Sequence, residues 1–172
     1  MLYSEGVGAG NRRNATPAAP SDVRYSFAEF AAQFPDDESC LAYLWTTRYA
    51  PDGDFALCPK CEDVRKFKRY ETTQPRQSWT CTTCGQHIHP TAGTMFHKSS
   101  TSLRLWFYSL YIMANTNGEI SAKQLERELG VTYKTAWRMF HLIGDQLRVV
   151  ERGDDDPATF EQLLLRAAGR TP

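Results

Sequence analysis

The sequence lacks the features that mark membrane proteins, secreted proteins and large enzymes. Its longest apolar stretch, residues 103–114, is interrupted by an arginine and a serine and falls short of the roughly 20 residues that a membrane span needs. The N-terminus, with Gly8, Arg12 and Pro17, has no apolar core of the kind that defines a secretory signal. With 172 residues, there is room for one ordinary domain or two small ones. We therefore expect a soluble, cytoplasmic protein without a membrane-spanning segment.

The net charge is zero, because 20 basic side chains balance 20 acidic ones. The balance comes from opposed segments: residues 58–150 carry 13 Lys and Arg against 7 Asp and Glu, whereas residues 1–57 are acidic. A mildly basic middle favours a polyanionic partner, although an excess of this size is also common on a solvated surface. Charge alone does not separate a nucleic-acid-binding protein from another soluble domain.

Apolar spacing and turn residues divide the chain into five parts and predict an α+β fold that is mostly α. In the second helix of the predicted lid, Ser39 is the expected N-cap. In the tail, Asp156 is the expected cap, with Pro157 at the first helical position. The parts are a flexible leader at 1–24, a helical lid at 25–54, a cysteine-containing hairpin at 55–97, a helix-turn-helix-like region at 98–150, and an acidic tail with a short helix at 151–172.

Cysteine is scarce, yet four of the five cysteines form two C-x-x-C pairs, Cys58 with Cys61 and Cys81 with Cys84. Each pair lets one tight turn present two sulfurs to one ion, and two such turns complete the tetrahedron that Zn²⁺ accepts. Four protein ligands leave no open coordination position. The spacing therefore predicts a small zinc ribbon at 55–97 whose single zinc ion is structural.

Other roles for the cysteines are open at this point. Disulfides are an alternative, but no secretory signal precedes them, and neither pair has the βαβ setting of a redox site. Cys40, in a predicted helix beside an apolar residue, is expected to be a buried core thiol. His87 and His89 follow the second pair and are interpreted as surface residues or neighbours of the ligands, because four cysteines already complete the set.

The region after the ribbon has the layout of a helix-turn-helix. Ser121 begins a capping box, Gly130 ends a short helix, and Thr132 can cap the next one. In that next helix we expect an inward stripe of Ala136, Phe140, Ile143 and Leu147, with Trp137 along its edge.

In a helix-turn-helix, the N-terminal residues of the second helix lie at the base edges of the DNA major groove. The alternative is a plain helical hairpin with a solvated polar face. The predicted base and phosphate contacts are Tyr133, Lys134, Thr135 and Arg138, with Lys123 and Arg127 of the preceding helix as further phosphate contacts.

From about Phe27 to Leu147, the chain resembles prokaryotic insertion-sequence transposases in which an N-terminal zinc ribbon precedes a ribonuclease-H-like DDE catalytic domain. The motifs that carry this resemblance are Cys-Pro-Lys-Cys at 58–61, Cys-Thr-Thr-Cys-Gly at 81–85, the run from Thr91 to Ser99, Leu103 with Trp106 and Phe107, and the run from Ile120 to Trp137.

The resemblance implies a role in DNA transposition, with the ribbon and the helical region recognising double-stranded DNA at the terminal repeats. The chain departs from the family pattern at Glu62, where a glycine is usual, and in residues 151–172, which do not supply the sheet of a DDE domain. We therefore expect a DNA-binding portion that is not itself an enzyme, with a full-length transposase as a possible partner. A zinc-stabilised protein-interaction module, a non-functional remnant and a complete nuclease are the alternatives.

Overall fold

The computed structural model describes residues 25–70, 77–151 and 159–169, which leaves the predicted leader outside the described residues. Within these ranges there are six helices and a four-stranded antiparallel sheet in the order β1-β2-β3-β4, so the predicted α+β fold with a helical majority is confirmed. The elements are α1 (Phe27–Gln33), α2 (Asp37–Arg48), β1 (Phe55–Cys58), β2 (Asp63–Tyr70), β3 (Ser78–Cys81), β4 (His87–Ile88), α3 (Leu103–Asn115), α4 (Ala122–Leu129), α5 (Tyr133–Glu151) and α6 (Phe160–Ala167).

Helices α1 and α2 lie in the segment that the sequence assigns to a helical lid, but α2 begins earlier than predicted. Its N-cap is Asp36, whose extended backbone lets the side chain accept a hydrogen bond from the Ser39 backbone N–H at 2.8 Å. Ser39 closes the capping box from inside the helix, so the prediction that Ser39 is the cap itself is wrong. The side chains of Asp36 and Ser39 each accept a hydrogen bond from the other's backbone N–H, so two donors without a helical partner are satisfied. This fixes the helix start at Asp37.

The sheet contains the hairpin that was expected between the two cysteine pairs, formed by β2 and β3 in antiparallel register. Strands β1 and β4 extend it on either side. One face of the sheet packs against α2, where the indole of Trp45 stacks on Trp79 with ring centroids 4.8 Å apart and planes 9° from parallel. The Trp45 indole N–H also donates to the Gly53 carbonyl at 2.7 Å. This stack fixes the ribbon to the lid.

Helix α3 is the central helix of the body, as its apolar circumference predicts. Trp106, Phe107 and Leu110 are buried, and the indole N–H of Trp106 donates to the Ser99 hydroxyl at 3.0 Å. Helices α2, α4, α5 and α6 all pack against α3. None of the helices in the described ranges combines the length and apolar character that crossing a bilayer requires.

The C-terminal helix α6 starts later than the sequence suggests. The expected cap residues Asp156 and Pro157 lie outside the described residues, and α6 begins at Phe160. Thr159 is its cap and forms a capping box with Gln162, whose backbone N–H donates to the Thr159 hydroxyl at 3.2 Å. The predicted start is therefore wrong, because a Thr-x-x-Gln box satisfies the first turn at a later position. The buried face of α6 closes the body against α3 and α5.

Candidate functional site: a four-cysteine centre and the exposed face of α5

The four predicted ligands converge at one end of the sheet. Cys58 and Cys81 end strands β1 and β3, while Cys61 and Cys84 lie in the turns that follow. All four sulfur atoms lie within 4.8 Å of one another, and the Sγ atoms of Cys58 and Cys84 are 3.5 Å apart. No other group of three or more potential ligands is found in the described ranges.

Each pair is held in place by the same type of turn. The backbone N–H of Glu62 donates to the Cys58 carbonyl at 2.9 Å, and that of Gly85 donates to the Cys81 carbonyl at 3.0 Å. Both residues have a left-handed backbone, with φ of 53° at Glu62 and 73° at Gly85. The two turns are therefore equivalent, and each directs two sulfurs to the same point.

This arrangement fits a zinc ion. With Zn–S bonds of about 2.3 Å, a tetrahedral site separates neighbouring sulfurs by about 3.8 Å, which agrees with the spacing of the cluster. Zinc bound here would be coordinated by four protein ligands, with no position left for water or substrate. The centre can therefore bind one zinc ion, and that ion would stabilise the fold of the ribbon.

Without a cation, the clustered thiols compete for protons. A hydrogen bond with Cys84, together with burial, raises the pKa of Cys61 to about 12. Burial opposes ionisation of Cys81, but the backbone N–H groups of Cys84 and Thr83 outweigh it and lower the pKa of that thiol to about 6. A bound divalent cation would favour the thiolate form at all four positions.

The remaining cysteine and the two nearby histidines do not join this cluster. Cys40 is buried in α2, as predicted, and its burial raises the pKa of the thiol well above its usual range. His87 is exposed on β4, where its Nδ1 lies 3.0 Å from the Thr80 hydroxyl and 3.2 Å from that of Ser78. His89 is exposed in the loop after β4.

In the region after the ribbon, α4 is followed by a three-residue turn and α5. Ser121 caps α4 in a capping box with Gln124, and Gly130 ends it with a left-handed φ of 65°. The Thr132 hydroxyl then accepts from the Thr135 backbone N–H at 3.4 Å at the start of α5. These three local predictions are confirmed. The two helices pack together through buried residues on both, which fixes the angle at which α5 leaves the body.

The buried stripe of α5 differs from the prediction at one position. Ala136, Ile143 and Leu147 are buried as expected, but Met139 is fully buried whereas Phe140 is only partly so. A helical stripe of this width admits either neighbour, and packing against α3 selects Met139. The opposite face of α5 is left to solvent.

The structure places the six predicted DNA contacts on two neighbouring helices. Lys134 and Arg138 are exposed, lie one turn apart on α5, and form no ion pair with any described residue. Arg127 is exposed on α4, whereas Lys123 pairs with Glu126 and lies 5.8 Å from the centre of the Tyr133 ring. Tyr133 is 48% exposed. Thr135 is half-buried, and its hydroxyl lies 3.0 Å from that of Thr132, so it forms a hydrogen bond at the start of α5.

Beside Lys134 and Arg138, the exposed residues Trp137 and His141 extend the row begun by the predicted contact Tyr133, but neither was among the predicted contacts. Trp137 is 50% exposed, and its ring centroid is 4.1 Å from that of His141. Tyr133, Trp137 and His141 follow one another at intervals of four residues, which places them on one side of the helix. The four-residue spacing is present in the sequence, but it adjoins the apolar stripe, so the pattern alone predicts Trp137 as the edge of that stripe. We call the exposed residues Tyr133, Lys134, Trp137, Arg138 and His141 the α5 surface.

The fold and the centre define a four-cysteine zinc ribbon attached to a helical body. Residues 35–87 match the family model described as the transposase zinc-ribbon domain, and this range includes all four cysteines of the centre. Over 81 residues the chain is 33% identical to a protein of Halobacterium salinarum (strain ATCC 700922 / JCM 11081 / NRC-1) described as an uncharacterized protein in transposable element ISH50.

That match covers 47% of this chain and 26% of the relative, so the chain corresponds to about a quarter of the relative's length. No solved structure is significantly similar to the chain. The comparisons thus agree with the resemblance to the N-terminal region of insertion-sequence transposases.

Proposed function

We propose that this chain binds double-stranded DNA at the terminal repeats of an insertion sequence, using the helix-turn-helix formed by α4 and α5 together with the zinc ribbon. The observation that carries this proposal is the α5 surface. Lys134 and Arg138 are exposed and have no ion-pair partner among the described residues, while the other side of the same helix is buried against the body. Such a helix presents basic side chains to a groove without disturbing the core.

The transposase zinc-ribbon match supports a DNA partner independently of the charges. Within the α5 surface, the guanidinium of Arg138 suits the paired acceptors of guanine, while the ammonium of Lys134 suits either guanine or phosphate. The exposed indole of Trp137 adds an apolar contact of the kind that recognises a thymine methyl group. Lys123 and Arg127 on α4 would bind the phosphates beside the groove.

The test is a titration of the zinc-loaded protein against terminal-repeat and random duplexes at two salt concentrations. Because each phosphate contact contributes about 0.9 to the slope of log K against log[salt], Lys134→Ala should weaken binding to both duplexes and reduce the slope by about that amount if it contacts phosphate. Arg138→Ala should instead cost about 1–3 kcal/mol on the preferred sequence and relax specificity.

Arg148→Ala is the matched control. Arg148 is exposed near the other end of α5 and pairs with Asp145 at 3.3 Å, so its loss should leave binding unchanged. The proposal fails if the wild-type protein does not bind duplex DNA, or if the Lys134 and Arg138 variants bind as it does.

We further propose that this chain does not cut DNA by itself. A centre with four thiolate ligands has no open position at which to activate water, so its zinc would be structural. Incubation of the purified chain with terminal-repeat DNA and Mg²⁺ should leave the strands intact. Strand cleavage that is abolished by removing Mg²⁺ would overturn this part of the proposal.

A second candidate is a protein-interaction module, for which a full-length transposase is the partner to test. The exposed Trp137 favours it, since exposed tryptophans often anchor interfaces. Trp106 is buried and Tyr111 is half-buried, so neither offers a comparable anchor. An in vivo transposition assay with and without this chain distinguishes the two roles when wild type is compared with Lys134→Ala. Inhibition that survives this substitution would indicate a protein partner, whereas inhibition that is lost would indicate occupation of the repeats.

A further inference from the structure

The outer face of the ribbon's sheet has no role in the zinc centre or in the α5 surface. Along β2 the side chains alternate, and Phe67 and Arg69 point to the side covered by α2, where Arg69 lies 5.6 Å from the Trp79 ring centre. The other side is open to solvent. We call this side the outer sheet face, and its residues are Phe55, Leu57, Val64, Lys66, Lys68, Tyr70, Thr80 and His87.

Large apolar side chains are unusually exposed on this face. Phe55 is 47% exposed, Tyr70 50%, Val64 57% and Leu57 65%. Phe55 lies opposite Lys66, and Leu57 lies opposite Val64, in the antiparallel register of β1 and β2. Strand pairing fixes the backbone that carries these four side chains, and no side chain in the described ranges covers them.

Two lysines accompany the two aromatic rings: Lys66 lies beside Phe55 on the neighbouring strand, and Lys68 lies between that pair and Tyr70. Lys66 is 5.9 Å from the centre of the Phe55 ring and forms an ion pair with Asp54 at 3.2 Å. Lys68, the next residue on this face, is exposed and forms no ion pair with a described residue. Beyond it, Tyr70 packs edge-on against His87 with ring centroids 5.0 Å apart. The face thus has a Phe55–Lys66 pair at one end and Tyr70 at the other, about 13 Å apart along the strand, with Lys68 midway between them.

We propose that the outer sheet face binds single-stranded DNA. Phe55 and Tyr70 provide surfaces on which two unpaired bases can stack, Lys68 lies between them where the connecting phosphates would pass, and Lys66 adds a positive charge beside Phe55. A duplex does not suit this face, because its bases stack on each other and do not present their faces to a protein. A protein partner suits it less well, because lysine is depleted from the cores of protein interfaces.

This site lies on a different element from the α5 surface and does not depend on it. A chain with both would bind the duplex of a terminal repeat through α5 and a neighbouring unpaired strand through the ribbon. The two activities can therefore be tested separately in the same protein.

The experiment measures binding of the zinc-loaded protein to a fluorescein-labelled oligothymidylate of about 12 nucleotides by fluorescence anisotropy. Oligothymidylate forms no duplex, so it reports the single-stranded site alone. We expect each of Phe55→Ala and Tyr70→Ala to weaken binding about tenfold, because each removes one stacking surface. Lys68→Ala should reduce the slope of log K against log[salt] by about 0.7.

The matched control is Phe27→Ala, which removes a ring that is 52% exposed on α1 and therefore outside the ribbon. It should bind oligothymidylate as the wild-type protein does. In the crossed comparison, the Phe55 and Tyr70 variants should keep their affinity for duplex DNA, and the Lys134→Ala/Arg138→Ala variant should keep its affinity for oligothymidylate. Zinc content and far-UV circular dichroism of each variant establish that the ribbon is intact.

Several results would overturn the proposal. The proposal fails if the wild-type protein does not bind oligothymidylate. It also fails if the Phe55 and Tyr70 variants bind oligothymidylate as well as the wild-type protein does. Equal losses on duplex and single strand would assign the face to duplex recognition instead. A dimer in sedimentation that Leu57→Ser dissociates, without binding to oligothymidylate, would assign the face to a second copy of the chain. Loss of duplex binding in the α5 variant alone concerns only the proposed function. It does not contradict the single-stranded DNA site on the outer sheet face.

Discussion

The residue after each cysteine pair shows how one backbone position affects the ribbon. Gly85 adopts a left-handed φ of 73°, and Glu62 adopts the same region with a φ of 53°. A residue with a Cβ is less stable in this region by roughly 1–2 kcal/mol, whereas glycine enters it freely. The first turn therefore carries backbone strain that the second turn avoids.

We predict that Glu62→Gly stabilises the zinc-loaded protein by up to about 1 kcal/mol, and that Gly85→Ala destabilises it by about 1 kcal/mol. A Cβ at Gly85 would meet no atom within 4 Å, so the cost there is conformational and not steric. Urea denaturation of the zinc-loaded variants measures both changes. Glu62→Gln removes the charge but keeps the backbone strain, so it should not reproduce the gain. Destabilisation by Glu62→Gly would contradict the interpretation.

At the scale of elements, one carboxylate of the lid is hydrogen-bonded to the start of α3. The Asp37 side chain accepts hydrogen bonds from the Ser102 hydroxyl and from the Arg104 backbone N–H, the latter at 2.9 Å. Arg104 in turn donates through its Nε to the Phe34 carbonyl at 2.9 Å. Asp37, in the first turn of α2, thus accepts hydrogen bonds from two donors at the start of α3.

We predict that Asp37→Ala lowers the free energy of unfolding by about 1.5–3 kcal/mol, because hydrogen bonds to a charged group are lost and the donors at the start of α3 lose their acceptor. Glu38→Ala is the control. Glu38 is the next acidic residue in the same helical turn and forms an exposed ion pair with Arg69, so its loss should cost at most about 1 kcal/mol. Thermal unfolding followed by circular dichroism compares them. Equal losses would show that Asp37 acts only through the helix dipole.

The contact between the ribbon and α2 gives a second prediction at this scale. Trp79 is stacked on Trp45 and is 6% exposed, whereas Trp137 is half-exposed on α5. Trp79→Ala should destabilise the protein by about 3–5 kcal/mol, and Trp137→Ala by no more than about 0.5 kcal/mol. Denaturant midpoints of the two zinc-loaded variants provide the measurement. A large loss in the Trp137 variant would mean that its ring belongs to the core.

The elements that could be predicted from the sequence are those with local signals. The spacing of the cysteines defines the ribbon, and Ser121, Gly130 and Thr132 define the ends of α4 and the start of α5. The start of α6 was missed because two capping patterns compete in the tail, and Thr159 forms the one that is observed. The choice of Met139 over Phe140 depends on the position of α3, which no local pattern encodes.

At the scale of the whole molecule, two parts of the fold have different sources of stability. The buried side chains of the ribbon, including Phe67 and Trp79, pack on Trp45 of α2, and one metal ion held by the four cysteines would stabilise the ribbon further. The body has an extensive aromatic core around α3, in which Phe34 packs edge-on against Phe107 with ring centroids 5.0 Å apart. Cys40 is buried within this body, on α2. The reactivity of the five thiols therefore probes both the ribbon and the helical body.

Removal of zinc should separate these two parts. We expect no fast-reacting thiols in the zinc-loaded protein, four after treatment with EDTA, and the fifth, Cys40, only after full denaturation, because burial keeps it protonated and inaccessible. Titration with Ellman's reagent counts the thiols, and circular dichroism should retain most of the helical signal after chelation. Cys40→Ser should lower the final count by one without changing the count after EDTA. If all five thiols reacted together after chelation, the helical body would depend on zinc as much as the ribbon does, since the stack of Trp45 on Trp79 would then transmit the loss of the metal to the lid.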